Sequence, residues 1–161
     1  QARCAAKYFL PDPIPESVVR EVLAATLRAP SSFNFQPWAC VIVRSAAQKD
    51  ALAPAMLGHN ATRMKIAPLT AIFCADVTPS ARADAVRRNH AAAGLASSVS
   101  DNIVKLMQGY SGDDGSGGVD GARARGTEAW AFKMTGFAAQ TYLLGMAAHG
   151  ESERRRNAIY V

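Results

Sequence analysis

Cysteine is scarce in this sequence. Cys4, Cys40 and Cys74 are odd in number, far apart, and without the paired spacing of a zinc site, so neither a disulfide framework nor a bound metal is indicated. A reducing compartment, the cytoplasm, is the expectation that follows. Cys40 and Cys74 sit inside apolar runs, where a cysteine serves as a small buried hydrophobe, and no redox role is assigned to either. Long apolar runs are missing too. The most apolar stretch, Met134 to Ala139, is cut by Gln140 and falls far short of the roughly 20 residues that a membrane-spanning helix needs. No charged-then-apolar leader opens the chain. A soluble protein with no membrane partner is expected, while a targeting segment upstream of Gln1 stays open.

Aromatic residues make up 7% of the chain and are not interleaved with the basic ones, as a base-stacking platform would require. The net charge of +5 suits an anionic partner such as a phosphate-bearing cofactor. The one tight basic cluster, Arg154-Arg155-Arg156, reads as a solvated helix face, and no nucleic-acid partner is expected. His59, His90 and His149 are scattered, and none is assigned a catalytic role.

The 161 residues, 49% of them apolar and 19% charged, are enough for one packed domain. Val18, Val19, Val22, Leu23 and Leu27 recur at helical spacing in an amphipathic helix over 15–29, with Pro15 and Glu16 in its first turn. Pro30-Ser31-Ser32 stops it and opens a loop. Trp38 to Val43 and Leu69 to Ala75 read as short buried strands. Between them lies a helix-like segment, 46–57, interrupted by Pro54 and closed by Gly58-His59-Asn60. Residues 82–107 are alanine-rich and helical in one or two pieces, followed by a glycine-rich mobile loop over 109–126. Its Asp113, Asp114 and Asp120 fit no calcium-loop spacing. A solvated acidic loop is the reading, and no metal is expected. The segment 127–149 is a helix with Thr127 as its N-cap. It is apolar on nearly every face, including Trp130, Phe132, Phe137, Tyr142 and Leu143, so it demands enclosure by its own sheet and by a second subunit.

Four separated segments carry a resemblance. Residues 29–38 read Ala-Pro-Ser-Ser-Phe-Asn-Phe-Gln-Pro-Trp, residues 3–9 read Arg-Cys-Ala-Ala-Lys-Tyr-Phe, and residues 60–63 read Asn-Ala-Thr-Arg. The fourth is the long helix from Trp130 to Gly150. In this order they resemble the nitroreductase family: its Pro-Ser-Ser-x-Asn-x-Gln-Pro-Trp loop, its Arg-x-Ser-x-Arg/Lys-x-Phe phosphate motif, its Asn-x-x-Lys/Arg flavin contact and its central dimer helix. The resemblance implies an α+β, three-layer fold, with a central, mainly antiparallel sheet flanked by helices. It further implies one FMN-binding domain over 1–161 and a homodimer with two flavins at its interface.

The resemblance also implies site residues. Arg3, Cys4, Ala5 and Lys7 would meet the FMN phosphate, where an arginine fork and a point cation complement close to two negative charges. Ala5 stands where the family has serine and removes a hydroxyl donor. Pro30, Ser31, Ser32, Asn34 and Gln36 would approach the flavin, and Asn60 with Arg63 would hold its pyrimidine edge, where a guanidinium stabilises negative charge. Taken alone, Arg3 and Lys7 could be two surface cations, and Ser31, Ser32 and Asn34 could merely cap and turn. No side-chain acid, base or nucleophile is needed, because the flavin carries the hydride.

The activity implied is transfer of hydride from NADH or NADPH through FMN to a nitroaromatic, quinone or similar small-molecule acceptor, in two half-reactions. Sister activities on the same fold (flavin reduction, dehalogenation, enone reduction) stay open. After Gly150 the family's Pro-Met/Ile-x-Gly-Phe loop and its C-terminal basic motif are absent. The expectation is that residues are missing after 150, again near 159, and at both ends. The alternative is a truncated, non-catalytic flavin-binding or dimerisation module.

Overall fold

The computed structural model describes residues 9–10, 12–111, 121–150 and 157–160, with backbone alone for 121–125 and 157–160. Its contacts divide the chain into two compact units. One comprises 1–29, 39–74 and 136–161, and the other 30–38 and 75–135.

In the first unit, helix α1 (Glu16–Thr26) starts after Pro15, whose φ of −55° suits the entry. Val19, Val22 and Thr26 form its buried side, and the Thr26 hydroxyl returns a bond of 2.7 Å to Val22 O. Strand β1 (Trp38–Val43) and strand β2 (Leu69–Ala75) occupy the expected positions. They are neighbours in the three-stranded sheet β1-β2-β3. Asp76 N, just past the end of β2, donates to Pro37 O, just before β1, at 2.9 Å, which sets the pair antiparallel. Strand β3 (Asn157–Tyr160) pairs with β2 in parallel, Leu69 opposite Asn157 and Ile72 opposite Tyr160. The sheet is thus mixed, because a parallel partner requires a long crossover and the chain between β2 and β3 provides one.

Helix α2 (Ala46–Leu52) is capped by Ser45, whose Oγ accepts from Gln48 N at 3.3 Å. Pro54 converts the following residues, Ala53–Ala55, into a 3-10 turn. Helix α3 (Asn60–Ile66) comes next. Here the sequence reading needs correction, since Asn60 opens a helix instead of closing one. The break lies two residues earlier, at Gly58 with φ +57°. The Lys49 ammonium of α2 is buried and donates to Ala67 O, the residue that ends α3. A cation at that carbonyl end is favoured by the helix dipole, and burial lowers the Lys49 pKa. Met64, Leu69, Phe73, Tyr142 and Met146 fill the core, with Phe73 meeting Tyr142 edge-on at 5.7 Å.

In the second unit, helix α4 (Ala83–Ala92) and helix α5 (Ser97–Ser111) are the two pieces expected. They are parted at Gly94, whose φ of +73° breaks the helix. An ion pair between Arg87 and Asp101 and a contact of 3.1 Å between His90 Nδ1 and Ser100 Oγ join them. Helix α6 (Gly121–Ala148) is longer than the sequence suggests. Residues 109–111 belong to α5 and 121–126 to α6, so the expected loop is helical at both edges, and 112–120 lie outside the described residues. Thr127 is therefore not an N-cap. It sits inside α6 and its hydroxyl donates to Tyr110 O at 2.8 Å.

Candidate functional site

The loop 30–38 has the most unusual backbone among the described residues. Phe33, Asn34 and Gln36 have φ of 53°, 56° and 46°, the left-handed region that costs most side chains roughly 1–2 kcal/mol each and asparagine less. Such strain persists only where the surroundings over-determine it, and here they do. Ser31 Oγ accepts from Gln36 N at 2.9 Å. The Trp130 indole N–H donates to Ser32 Oγ at 3.2 Å, and Ser32 N and Oγ lie 3.3 and 3.7 Å from Met134 Sδ. Phe35 is buried as an anchor, edge-on to Tyr110 and Trp130 at 5.8 Å each.

Arg82 closes the far end of the loop. Its Nη1 donates to Gln36 O, its Nη2 to Trp38 O at 3.2 Å, and its Nε pairs with Asp76 Oδ2 at 3.0 Å. Sequence reasoning missed this residue. It lies 46 positions from Gln36, inside a segment read only as alanine-rich helix, and no local pattern betrays it.

The sequence-derived site residues fall into three groups. Pro30, Ser31, Ser32, Asn34 and Gln36 share the strained loop of the second unit, with Pro30 and Asn34 exposed and the others half-buried. Asn60 and Arg63 lie one turn apart on α3 of the first unit, both half-buried, with Arg63 Nη1 3.4 Å from Asn60 Oδ1. Arg3, Cys4, Ala5 and Lys7 lie outside the described residues.

Cys40 is half-buried and its thiol is pushed up to about 11, by burial first and by Cys74 second. It stays protonated at neutral pH and is a poor nucleophile. Cys74 departs from expectation. It is exposed, because it falls on the outward position of a strand whose neighbour Phe73 points inward. Among the described residues no cluster could hold a metal ion, and no helix is long and apolar enough to cross a membrane.

The Nitroreductase family model matches residues 1–66, a span that holds the phosphate-type motif, the strained loop and the Asn60–Arg63 pair. The nitroreductase NfnB of Mycolicibacterium smegmatis is 35% identical over 157 residues, covering 93% of this chain and 65% of that protein. An NADH dehydrogenase of Thermus thermophilus is 41% identical over 75 residues, 47% of this chain and 36% of that protein. The chain thus spans about a third to two thirds of the length of these curated relatives. Among solved structures, an Exiguobacterium sibiricum protein of nitroreductase type, in complex with FMN, superposes with a TM-score of 0.74 at 21% identity. That superposition covers 92% of this chain and 67% of that one, and it shows the shared α+β fold. Motif order, identity and fold agree, and residues 1–66 match the nitroreductase family.

Proposed function

We propose that this chain is the FMN-binding part of an NAD(P)H-dependent oxidoreductase that reduces nitroaromatic, quinone or similar small-molecule acceptors and works as a homodimer. The observation that carries the reading is the loop 30–38, whose sequence is the family's flavin-contacting motif and whose three left-handed residues are held by Ser31, Arg82, Trp130 and Met134. Strain held this firmly aims exposed groups, here the Asn34 amide, in a fixed direction at little cost on binding.

The donor set fits a flavin. Arg63 gives one N–H to Asn60 and keeps the rest of its fork uncommitted among the described residues, which suits an anionic ring edge. Arg3 and Lys7 are the residues to hold the phosphate. When bound, FMN supplies the hydride chemistry. The protein's residues position it, and no side-chain acid or base is assigned.

The dimer rests on α6. In a single chain Phe137 and Leu144, two turns apart on the same side of that helix, are 45% and 53% exposed, an apolar surface that a second copy would cover. The deciding experiment is the visible spectrum of the purified protein, followed by anaerobic titration with NADH and NADPH. A flavin band bleached by either nucleotide is expected. A colourless protein that takes up no FMN on dialysis would end the proposal.

A further inference from the structure

Within the second unit, α5 and α6 flank an open pocket of about 710 Å³, within the usual range for small-molecule pockets. Its walls are mostly apolar. Leu106 and the Tyr110 ring line it, and two glycines, Gly109 and Gly126, leave room where side chains would stand. A Cβ built on Gly126 meets nothing within 4 Å. Among the described residues the polar groups of the lining are Asn102, Thr127 and Lys105, the last being charged. The Thr127 hydroxyl is committed to Tyr110 O at 2.8 Å. Tyr110 is itself stacked on Trp130, with ring centroids 4.4 Å apart and planes inclined by 34°, so the aromatic wall is braced from behind.

We infer that this cavity is a binding site for a planar aromatic molecule bearing one anionic group, the ring lying against Tyr110 between the two glycines and the anion meeting Lys105 and Asn102. Glycines on two helices beside a braced aromatic ring admit a flat apolar body, whereas the Lys105 cation beside the Asn102 amide selects a carboxylate or sulfonate over a neutral or cationic head. The inference needs no flavin and stands apart from the oxidoreductase reading. Occupancy would nonetheless press on Tyr110, whose partner Trp130 holds Ser32 of the strained loop.

The test uses the whole protein and two fluorescent probes of nearly the same body, 8-anilinonaphthalene-1-sulfonate and its uncharged counterpart N-phenyl-1-naphthylamine. Wild type should bind the sulfonate more tightly. Lys105→Met, at an exposed position, should weaken the sulfonate about threefold to fivefold, the worth of a partly screened charge contact, and leave the neutral probe unchanged. Gly126→Trp should fill the space and weaken both probes by roughly tenfold or more. A helical glycine with nothing near its Cβ tolerates substitution, and circular dichroism verifies the fold. Equal affinity of the sulfonate for wild type and Lys105→Met overturns the anion selectivity. Unchanged binding of both probes to folded Gly126→Trp overturns the site. A wild-type cavity blocked by a second copy would show as binding that rises on dilution, and that result also overturns it.

Discussion

Arg82 is the residue on which the loop reading can be tested most sharply. It gives two donors to the carbonyls of Gln36 and Trp38 and a third to Asp76. Each charge-assisted bond contributes about 1.5–3 kcal/mol when buried. The Arg82 side chain is 34% exposed, so solvent screening brings the two carbonyl bonds together to roughly 2–3 kcal/mol. On the other side stands the strain of three left-handed residues, about 3–5 kcal/mol in sum once asparagine's tolerance is counted. The two are of similar size, so Arg82→Met should free the loop locally while the helices hold. Amide exchange reads this directly. The N–H groups of Gln36, Trp38 and Asp76 are bonded to Ser31 Oγ, Gln36 O and Pro37 O, and a loss of about 2 kcal/mol accelerates their exchange roughly 30-fold. The melting temperature should fall little. Arg82→Lys should sit between, because an ammonium on a flexible stem cannot span both carbonyls and the carboxylate. Exchange at these three amides equal to wild type in Arg82→Met would refute the reasoning, whatever happens to flavin affinity.

Three further outcomes are expected. A Cβ on Gly145 would lie 2.9 Å from Val22 Cγ1, so Gly145→Ala should lose roughly 1–3 kcal/mol to overpacking against a helix-propensity gain of about 0.8–1. Gly126→Ala, with open space, should gain stability, and denaturant titrations would show the opposite signs. With its folded pKa raised from 9.0 to about 11, the Cys40 thiol keeps its proton after the unfolded chain has lost it. Stability is therefore fully present below pH 9 and declines as pH rises towards 11, by about 1–2 kcal/mol after discounting for partial exposure. Cys40→Ala should flatten that decline, and in a Cys4→Ser background a thiol reagent at neutral pH should label Cys74 quickly and Cys40 slowly. Finally, Arg63→Ala should lower the potential of bound FMN and slow its reduction by NAD(P)H, as loss of a preorganised donor to a developing negative charge does; an unchanged potential would remove Arg63 from the site.

The regular elements were legible because short-range physics decides them. Val19, Val22 and Thr26 are buried on α1 at the three- and four-residue spacing the sequence displays. β1 and β2 appear as runs of β-branched and aromatic residues bounded by proline and charge. α3 was hidden by its neighbours. Gly58, with φ +57°, is a true break, but Asn60 two residues on is as good a helix opener as a turn residue, and local composition cannot choose between them. The start of α6 was misplaced for a similar reason. Thr127 carries the chemistry of an N-cap, yet its hydroxyl goes to Tyr110 O, a partner 17 residues away. Tertiary contact outweighed local preference at both places. Cys74 shows the same limit on a strand, where an apolar run reveals that a residue is extended but not which face it takes.

The site divides along the same line. Ser31, Ser32, Asn34 and Gln36 were legible as candidates by type and order, because they match the motif of the resembled family. Nothing local could reveal that three residues of this loop, Phe33, Asn34 and Gln36, are left-handed without a glycine among them. A sequence of local preferences would place glycine at Phe33 and Gln36. That these positions carry side chains instead means the conformation is imposed by partners distant in the chain: Arg82 on the carbonyls, Trp130 and Met134 on Ser32, and the aromatic seat of Phe35. Those partners lie within α6 and just ahead of α4, so the loop can hold its shape only after the second unit has folded around it. The conflict between local preference and native backbone therefore singles this loop out among the described residues. A loop free to choose would relax, and one held against its preference keeps the same few donors in the same place.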